Sequence, residues 1–441
     1  MSPARKEGYY RTPVGWIPTQ WRFLPIDTIA QESTLRNGNN TSLPVILCSK
    51  HVGFVRSLDY FKKKIFSDDT SNYKVVRRNW IAYPSNHIEE GSIGLQTICE
   101  TGIVSPIYTV FFLNDGVEPD FIHRVLKTEL YRQQYVAAMN VSVDRRGSLR
   151  WPQFSKIKVP VPPLPEQQKI VAILTAVDDK LDVIARQIES TQALKQGLMQ
   201  TLFSQGIGTQ DANGRWIPHT EFKDSELGEI PEEWLITTLG EICNGALQTG
   251  PFGSQLHAAE YQDEGVPVLM PKDLLKCRAN LLTAARIAPE RAKELAKHKL
   301  AAGDLLFSRR GDVARFALID EQSAGALCGT GCLKAKPSEG HSSAYISHLL
   351  QLDVVRAWLE QNAVGQTMPN MNTAILASLP LVAPANKQEQ EEIAGILDSI
   401  DAKASLLFSK RLHYQTLKRG LMQKLLTGEW RVKLDSPTGS A

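Results

Sequence analysis

The sequence predicts an α+β protein: two globular α/β domains separated by two long helices that form an antiparallel coiled coil, the whole an internal repeat with pseudo-two-fold symmetry. Three observations predict it. The stretch "LKQGLMQTLF" (Leu194–Phe203) returns as "LKRGLMQKLL" (Leu417–Leu426), 223 positions on. At the same offset "EQQKIVAILTAVDDK" (Glu166–Lys180) returns as "EQEEIAGILDSIDAK" (Glu389–Lys403). Upstream, "GWIPTQW" (Gly15–Trp21) returns as "GEIPEEW" (Gly228–Trp234) at an offset of 213. The two offsets differ by about ten residues, so the second copy carries that much more chain between its anchors. A repeat of this length is an architectural statement.

Each element follows in turn. Between the anchors the copies share almost no residues, and each reads as mixed α/β. "PVILCSK", "IYTVFFLN" and "DLLFSRRGDVARFALID" have strand character, whereas "PDFIHRVLKTELYRQQYVAAM" and "SAYISHLLQLDVVRAWLEQNA" are helical and precede each coil at similar places. The coil segments carry heptads. Ile170, Leu174, Val177, Leu181, Ile184 and Ile188 form the first seam, and Ile393, Leu397, Ile400, Ala404 and Leu407 the second. After a shift near Gln192 and Gln415 the seam resumes as Leu194, Leu198, Leu202 and as Leu417, Leu421, Leu425. A helix from Glu166 to Phe203 is roughly 57 Å long at ~1.5 Å per residue. Pro162, Pro163 and Pro165 block helix before it, and "LVAPANKQEQ" does so more weakly in the second copy. Gly206, Gly208 and Gly428 end the helices, while Gly197 and Gly420 sit inside them, either for close packing or on the surface. The expected domains are 1–160, globular; 161–208, first coil helix; 209–227, acidic linker; 228–385, globular; 386–430, second coil helix; and 431–441, tail. A helix with such a seam needs a partner, and the other copy is the obvious one. Antiparallel pairing then fixes the distance between two different inserts.

Totals restrict the function. With 441 residues, 42% of them hydrophobic and 22% charged, the chain holds two or three domains with full cores. No apolar run reaches the ~18 residues of a membrane span, and the N-terminus has no secretory h-region. Six scattered cysteines fit a reducing compartment, so a cytoplasmic protein is expected. No Asn-Pro-Pro-Tyr/Phe tetrapeptide, Walker loop or His-Glu-x-x-His is present. "CGTGC" (Cys328–Cys332) reads as a loop, since no second cysteine pair accompanies it for zinc. A binding module without cofactor, metal or catalytic residues is the expectation.

Charge is uneven. Lys50–Trp80 holds eight Lys/Arg against three Asp, with six aromatics interleaved, and Pro271–Arg315 holds eleven Lys/Arg against five Asp/Glu. The connector Asp211–Trp234 is acidic, with seven acidic residues against two basic. Cations among aromatics suit a phosphate backbone, and the alternative is a solvated charged surface. In the first insert the candidate DNA contacts are Lys62, Lys63, Lys64, Arg77 and Arg78, joined before the coil by Arg145, Arg146 and Arg150. In the second they are Gln248, Ser254 and Gln255 of the loop "QTGPFGSQLH", Lys272, and Arg309 with Arg310 on a turn. An arginine there can fork onto guanine or phosphate; the other readings are a surface turn or an ion pair with Asp304 or Asp312.

Taken with their order along the chain, "GWIPTQW", "GEIPEEW", "VPVPPLPEQQKIVAIL", "KQGLMQTLF" and "KRGLMQKLL" give the sequence its likeness: it resembles the DNA-specificity subunit of type I restriction–modification systems over nearly its whole length. The second coil entry, "LVAPANKQEQ", departs from the pattern. The resemblance implies that each globular domain is a target recognition domain reading one half of a bipartite, asymmetric site in double-stranded DNA. It implies that the helices set the gap and dock two DNA methyltransferase (modification) subunits, with restriction/translocase subunits completing the assembly, and that the chain itself catalyses nothing. The alternative is a stand-alone DNA-modifying enzyme with a divergent catalytic site.

Overall fold

A computed structural model describes residues 7–38, 40–140, 148–252, 255–365 and 369–434. The chain divides into two compact units, Met1–Ala185 with Ser409–Ala441, and Arg186–Phe408. Each unit contains half of each long helix, α1 (Leu164–Gln205) and α2 (Lys387–Leu425).

The repeated heptapeptide has a structural reason in each unit. In the first, Tyr9–Thr12 and Gly15–Pro18 form a hairpin, and the Thr12 hydroxyl donates to the Gly15 carbonyl at 2.8 Å. In the second, Phe222–Ser225 and Gly228–Pro231 form the same hairpin, with Ser225 donating to Gly228 at 2.6 Å. Gly15 and Gly228 turn it at φ of 111° and 107°, a region glycine occupies without strain. The isoleucines, Ile17 and Ile230, are buried. The closing tryptophans, buried in their turn, each donate an indole N–H to the carboxylate at the start of a long helix: Trp21 to Glu166 at 3.0 Å, Trp234 to Glu389 at 3.3 Å. The adjacent glutamines repeat as well. Gln167 and Gln390 donate to the carbonyls of Pro162 and Pro384, both at 2.8 Å, and accept from the backbone of Glu118 and Ser342, also at 2.8 Å. The motif is a joint between domain and helix.

The divergent second entry follows the same path. Pro380–Ala383 pairs with Leu235–Thr238 as Lys158–Val161 pairs with Arg22–Pro25. Asn386 then accepts from the Gln388 N–H at 2.9 Å, an N-cap that replaces proline chemistry. Pro165 does not precede α1 as expected. It lies within the first turn, where its missing N–H has no intrahelical partner to lose.

Within each unit the helix halves run antiparallel. In the first, Asp178 pairs with Lys418 at 2.6 Å and Glu166 with Arg431 at 2.6 Å, so that moving forward along α1 means moving back along α2. In the second, Lys195 pairs with Asp401 at 2.8 Å, and Glu389 accepts from Ile207 N at 2.9 Å. The two lysine–aspartate pairs are one interaction repeated at the 223-residue offset. The seam residues Ile170, Leu174, Ile184, Ile393 and Leu397 are essentially buried. The resumed seam is a correction: Leu194 is 52% exposed and Leu417 41%, whereas Leu202 and Leu425 are buried. Beyond the shift the helix turns its apolar face to the globular core, where Phe203 meets the Tyr345 ring at 5.3 Å between centroids. Gly197 and Gly420 face open space, so they are surface glycines.

The globular parts share a sheet that their sequences conceal. In the first unit β1 (Ala30–Glu32), β2 (Ile81–Pro84), β3 (Gly94–Leu95) and β4 (Tyr108–Leu113) lie in the order β1-β4-β2-β3, all antiparallel. In the second unit β5 (Leu247–Thr249), β6 (Leu305–Ser308), β7 (Phe316–Leu318) and β8 (Cys332–Ala335) are four strands of a six-stranded sheet and take the order β5-β8-β6-β7, again antiparallel among themselves. Register agrees too: Tyr108 faces Pro84, and 224 residues later Cys332 faces Ser308. Both central strands are buried throughout, so they read as short apolar runs without alternation. What differs is the chain between the first two strands. In the first unit it forms the hairpin Ile46–Ser49/Gly53–Arg56 and the strand Lys74–Arg77. In the second it supplies two strands of a three-stranded sheet, Ala285–Ile287 and Val266–Leu269, completed by Leu327–Cys328, and it extends the shared sheet past β7 with Cys277–Ala279, parallel to β7, and Leu274–Leu275. Helices Pro119–Leu126 and Ser343–Leu349 then lead towards the coil. Arg124 of the former bonds Asp178 of α1 at 2.8 Å, and His348 of the latter bonds Asp398 of α2 at 2.8 Å.

Candidate nucleic-acid interface

In the second unit several loops converge where β6 ends and β8 begins. Arg309 donates its backbone N–H to Gly331 at 2.8 Å, and its carbonyl accepts from Met371 at 2.8 Å. Gly311 donates to Pro369 at 3.1 Å. Arg315 pairs with Asp312 at 3.2 Å and reaches the Pro271 carbonyl at 3.2 Å, which brings exposed Lys272 alongside. Gly250 donates to Cys332 at 2.9 Å, and a Cβ on Gly250 would collide with the Gly329 carbonyl. The first glycine of "CGTGC" has its own reason, since a Cβ on Gly329 would collide with the Leu269 carbonyl, and the cysteines of that stretch are buried core residues.

The turn carries Arg310 exposed and Arg309 half-buried. Neither forms the ion pair weighed above. Asp312 is taken by Arg315, and Asp304 is buried and accepts from Ala301 N at 2.9 Å, with burial pushing its carboxyl above the usual range. The Arg309 Nε is buried and has no partner among the described residues, and neither has the Asn370 side-chain oxygen. Buried polar atoms are nearly always bonded, and these two lie at one place, since the neighbouring Arg310 forms a backbone bridge with Asn370. Gln248 lies 3.4 Å from buried His298, whose imidazole is held below its ordinary range first by burial and then by Lys297 and Lys334. Gln255 accepts from Phe252 N at 3.2 Å, closing its own loop, and Ser254 lies outside the described residues.

The first-unit candidates are more dispersed. Lys62, Lys63 and Lys64 follow a short helix and are exposed; Lys62 adopts φ 53°, and Lys64 pairs with Asp68 over the Phe66 ring. Arg77 covers Trp80 at 5.5 Å, and Trp80 stacks on Phe112 at 5.1 Å. Arg78 is committed to Glu100 at 2.6 Å and the Thr97 carbonyl at 2.7 Å. Arg145 and Arg146 lie outside the described residues; Arg150 is exposed. Arg36 is bridged to Lys74, whose ammonium is held below its ordinary range by burial and by the guanidiniums of Arg36 and Arg150, against the opposing pull of Glu32. Arg36 and Lys74 were not singled out in the sequence, because they lie far apart along the chain and meet only through strand pairing. His87, Glu89 and Glu90 bring possible ligand atoms within 4.8 Å of one another, and His87 bonds Glu90 at 3.2 Å.

Residues 55–192 and 231–412 match the family described as the type I restriction modification DNA specificity domain. The putative type I restriction enzyme MjaX specificity subunit of Methanocaldococcus jannaschii is 25% identical over 466 aligned positions, covering 97% of this chain and 98% of that protein. The MjaVIII specificity subunit of the same organism is 26% identical, with the alignment spanning 64% of each chain. In fold, the chain is similar to the crystal structure of a type I restriction-modification system S subunit from M. genitalium, with a TM-score of 0.55, 14% identity, and coverage of 92% of this chain and 96% of that one.

Proposed function

The chain belongs to the type I restriction–modification DNA specificity family, and on that premise we propose that it is the non-catalytic DNA-reading subunit of such a system. Each unit reads one half of a bipartite, asymmetric site. The observation that carries this is the order of four antiparallel strands common to both sheets, set on the same Trp–Glu joint in both units, with different loop chemistry at its open end. Arg309 and Arg310, with Lys272, Gln248, Ser254 and Gln255, contact one half-site; Arg77, Arg145, Arg146, Arg150 and Lys62–Lys64 contact the phosphates of the other. Arg78, tied to Glu100, is the weakest of these contacts. The long helices set the gap and dock two methyltransferase subunits, with restriction/translocase subunits completing the assembly. Among the described residues no helix is long and apolar enough to cross a membrane; the place of action proposed is the cytoplasm.

The test is methylome sequencing of a host expressing this chain with its methyltransferase. An interrupted two-part motif, absent when either gene is removed, supports the reading. Methyl transfer by the isolated chain, or a continuous motif, overturns it.

A further inference from the structure

The shared sheet places one turn of each unit at the same position. In the second unit β6 runs into Arg309–Gly311; in the first, β2 runs into Ser85–His87. The backbone bonds that hold the two turns coincide. Ser85 N–H donates to Ile107 at 3.3 Å where Arg309 N–H donates to Gly331 at 2.8 Å. The Ser85 carbonyl accepts from Leu149 at 2.7 Å where the Arg309 carbonyl accepts from Met371 at 2.8 Å. Leu149 and Met371 are both fully buried just before a short helix, Trp151–Phe154 in one case and Thr373–Ala377 in the other. Each turn also holds one buried side-chain atom without a partner, though one position apart: the Asn86 oxygen, at the place equivalent to Arg310, and Arg309 Nε.

We infer that Ser85–His87 is the base-reading turn of the first unit, and that Asn86 reads the exocyclic amino group of an adenine or a cytosine. This rests on the DNA-reading function proposed above. The Ser85 hydroxyl is committed to the Ile107 carbonyl at 2.9 Å and His87 to Glu90, which leaves the Asn86 amide as the uncommitted group. From Ile81 to Leu95 the chain has no Lys or Arg, and Glu89 and Glu90 follow the turn. Carboxylates repel phosphate, so this turn does not grip the backbone. An amide oxygen beside carboxylates instead suits the N6 amino group of adenine or the N4 amino group of cytosine, whereas paired arginines suit guanine. The cations proposed above for this unit supply the phosphate contacts.

The test uses the full chain in complex with its methyltransferase, on a panel of single-base variants of the site found by methylome sequencing. For Asn86→Ala the expected result is a loss of discrimination of roughly tenfold at one base pair of one half-site. The other half-site stays unchanged. An A·T pair at the relaxed position identifies the N6 amino group of adenine, and a G·C pair the N4 amino group of cytosine. Asn86→Gln, which keeps the amide at a longer reach, retains part of the discrimination. A melting curve shows that the fold is intact; should Asn86→Ala not fold, Asn86→Gln and Asn86→Ser carry the test. Unchanged discrimination at every position, or an even loss across all variants, overturns the inference while leaving the family reading in place. Failure of the wild-type complex to methylate any bipartite site overturns both.

Discussion

Glu166 and Glu389 do the same task with different neighbours. Each is buried at the head of a long helix and accepts an indole N–H. In the first unit the charge is met by Arg431, at 2.6 and 2.9 Å, whose side chain is 37% exposed. In the second it is met by buried His219 at 3.1 Å and by the backbone N–H groups of Ile207 and Gly208 at 2.9 and 3.1 Å. Removing a carboxylate orphans whatever stays inside. Glu389→Ala is therefore expected to destabilise by ~3 kcal/mol and Glu166→Ala by about half that, because the freed Arg431 reaches water; calorimetry of the two variants checks the order. His298 gives a pH signature. Its folded imidazole titrates below the usual range because it is buried. The unfolded chain takes up that proton near pH ~6.5, so acidification favours unfolding and the contribution is lost as pH falls below that point. The drop in Tm from pH 7.5 to 5.5 should shrink in His298→Leu, in part only, since half-buried His341 is shifted in the same direction. At the DNA surface, Arg310→Ala should cost ~1–3 kcal/mol of discrimination at one position with no change in Tm, because its side chain supports nothing inside the fold; methylation of site variants alongside a melting curve separates the two effects.

At the scale of elements, the frame was legible because it is written in residues whose physics is local: a turn glycine, an isoleucine–proline strand end, a tryptophan, a heptad. The shared sheet was not. "IAYP" and "LLFS" occupy equivalent buried strands with no residue in common, since a fully buried strand asks only for apolar volume and not for identity. The turns after them were half legible. A search for cations finds Arg309 and Arg310 and passes over Ser85–His87, which carries no positive charge. Leu194 and Leu417 were placed in the seam because heptad spacing counts residues and does not say which partner the face meets. The antiparallel lysine–aspartate pairs give the coil a register that can be tested. Inserting four residues in both α1, after Ala185, and α2, after Phe408, adds ~6 Å of helix to each. The gap between half-sites should widen by one or two base pairs at ~3.4 Å per step, with both half-site sequences kept. The same insertion in α1 alone leaves one helix without matching partners and should abolish methylation; an unchanged gap in the paired variant would detach spacing from the helices.

At the scale of the molecule, the core of the first unit includes Leu425 at the end of α2 and Leu426 just past it, with Leu421 and Met422 against it. The core of the second includes Leu202 and Phe203 of α1. These are the repeated decapeptides, each serving the unit that the rest of its own helix does not begin in. A fragment ending at Gly208 therefore carries a first unit that lacks its α2 segment, and an α1 end of nearly the same sequence with nothing to cover. Two such fragments should complete each other as a dimer, seen by light scattering, and with methyltransferase should modify a symmetric interrupted site; a monomer that directs no methylation would count against this. The joint also has an arithmetic consequence. Because hairpin, tryptophan, glutamate and glutamine recur at both sockets, an insert is fitted by its frame and not by its neighbour. A population holding n inserts for each socket can assemble n² distinct addresses from 2n parts, and recombination within the repeated stretches is enough to shuffle them.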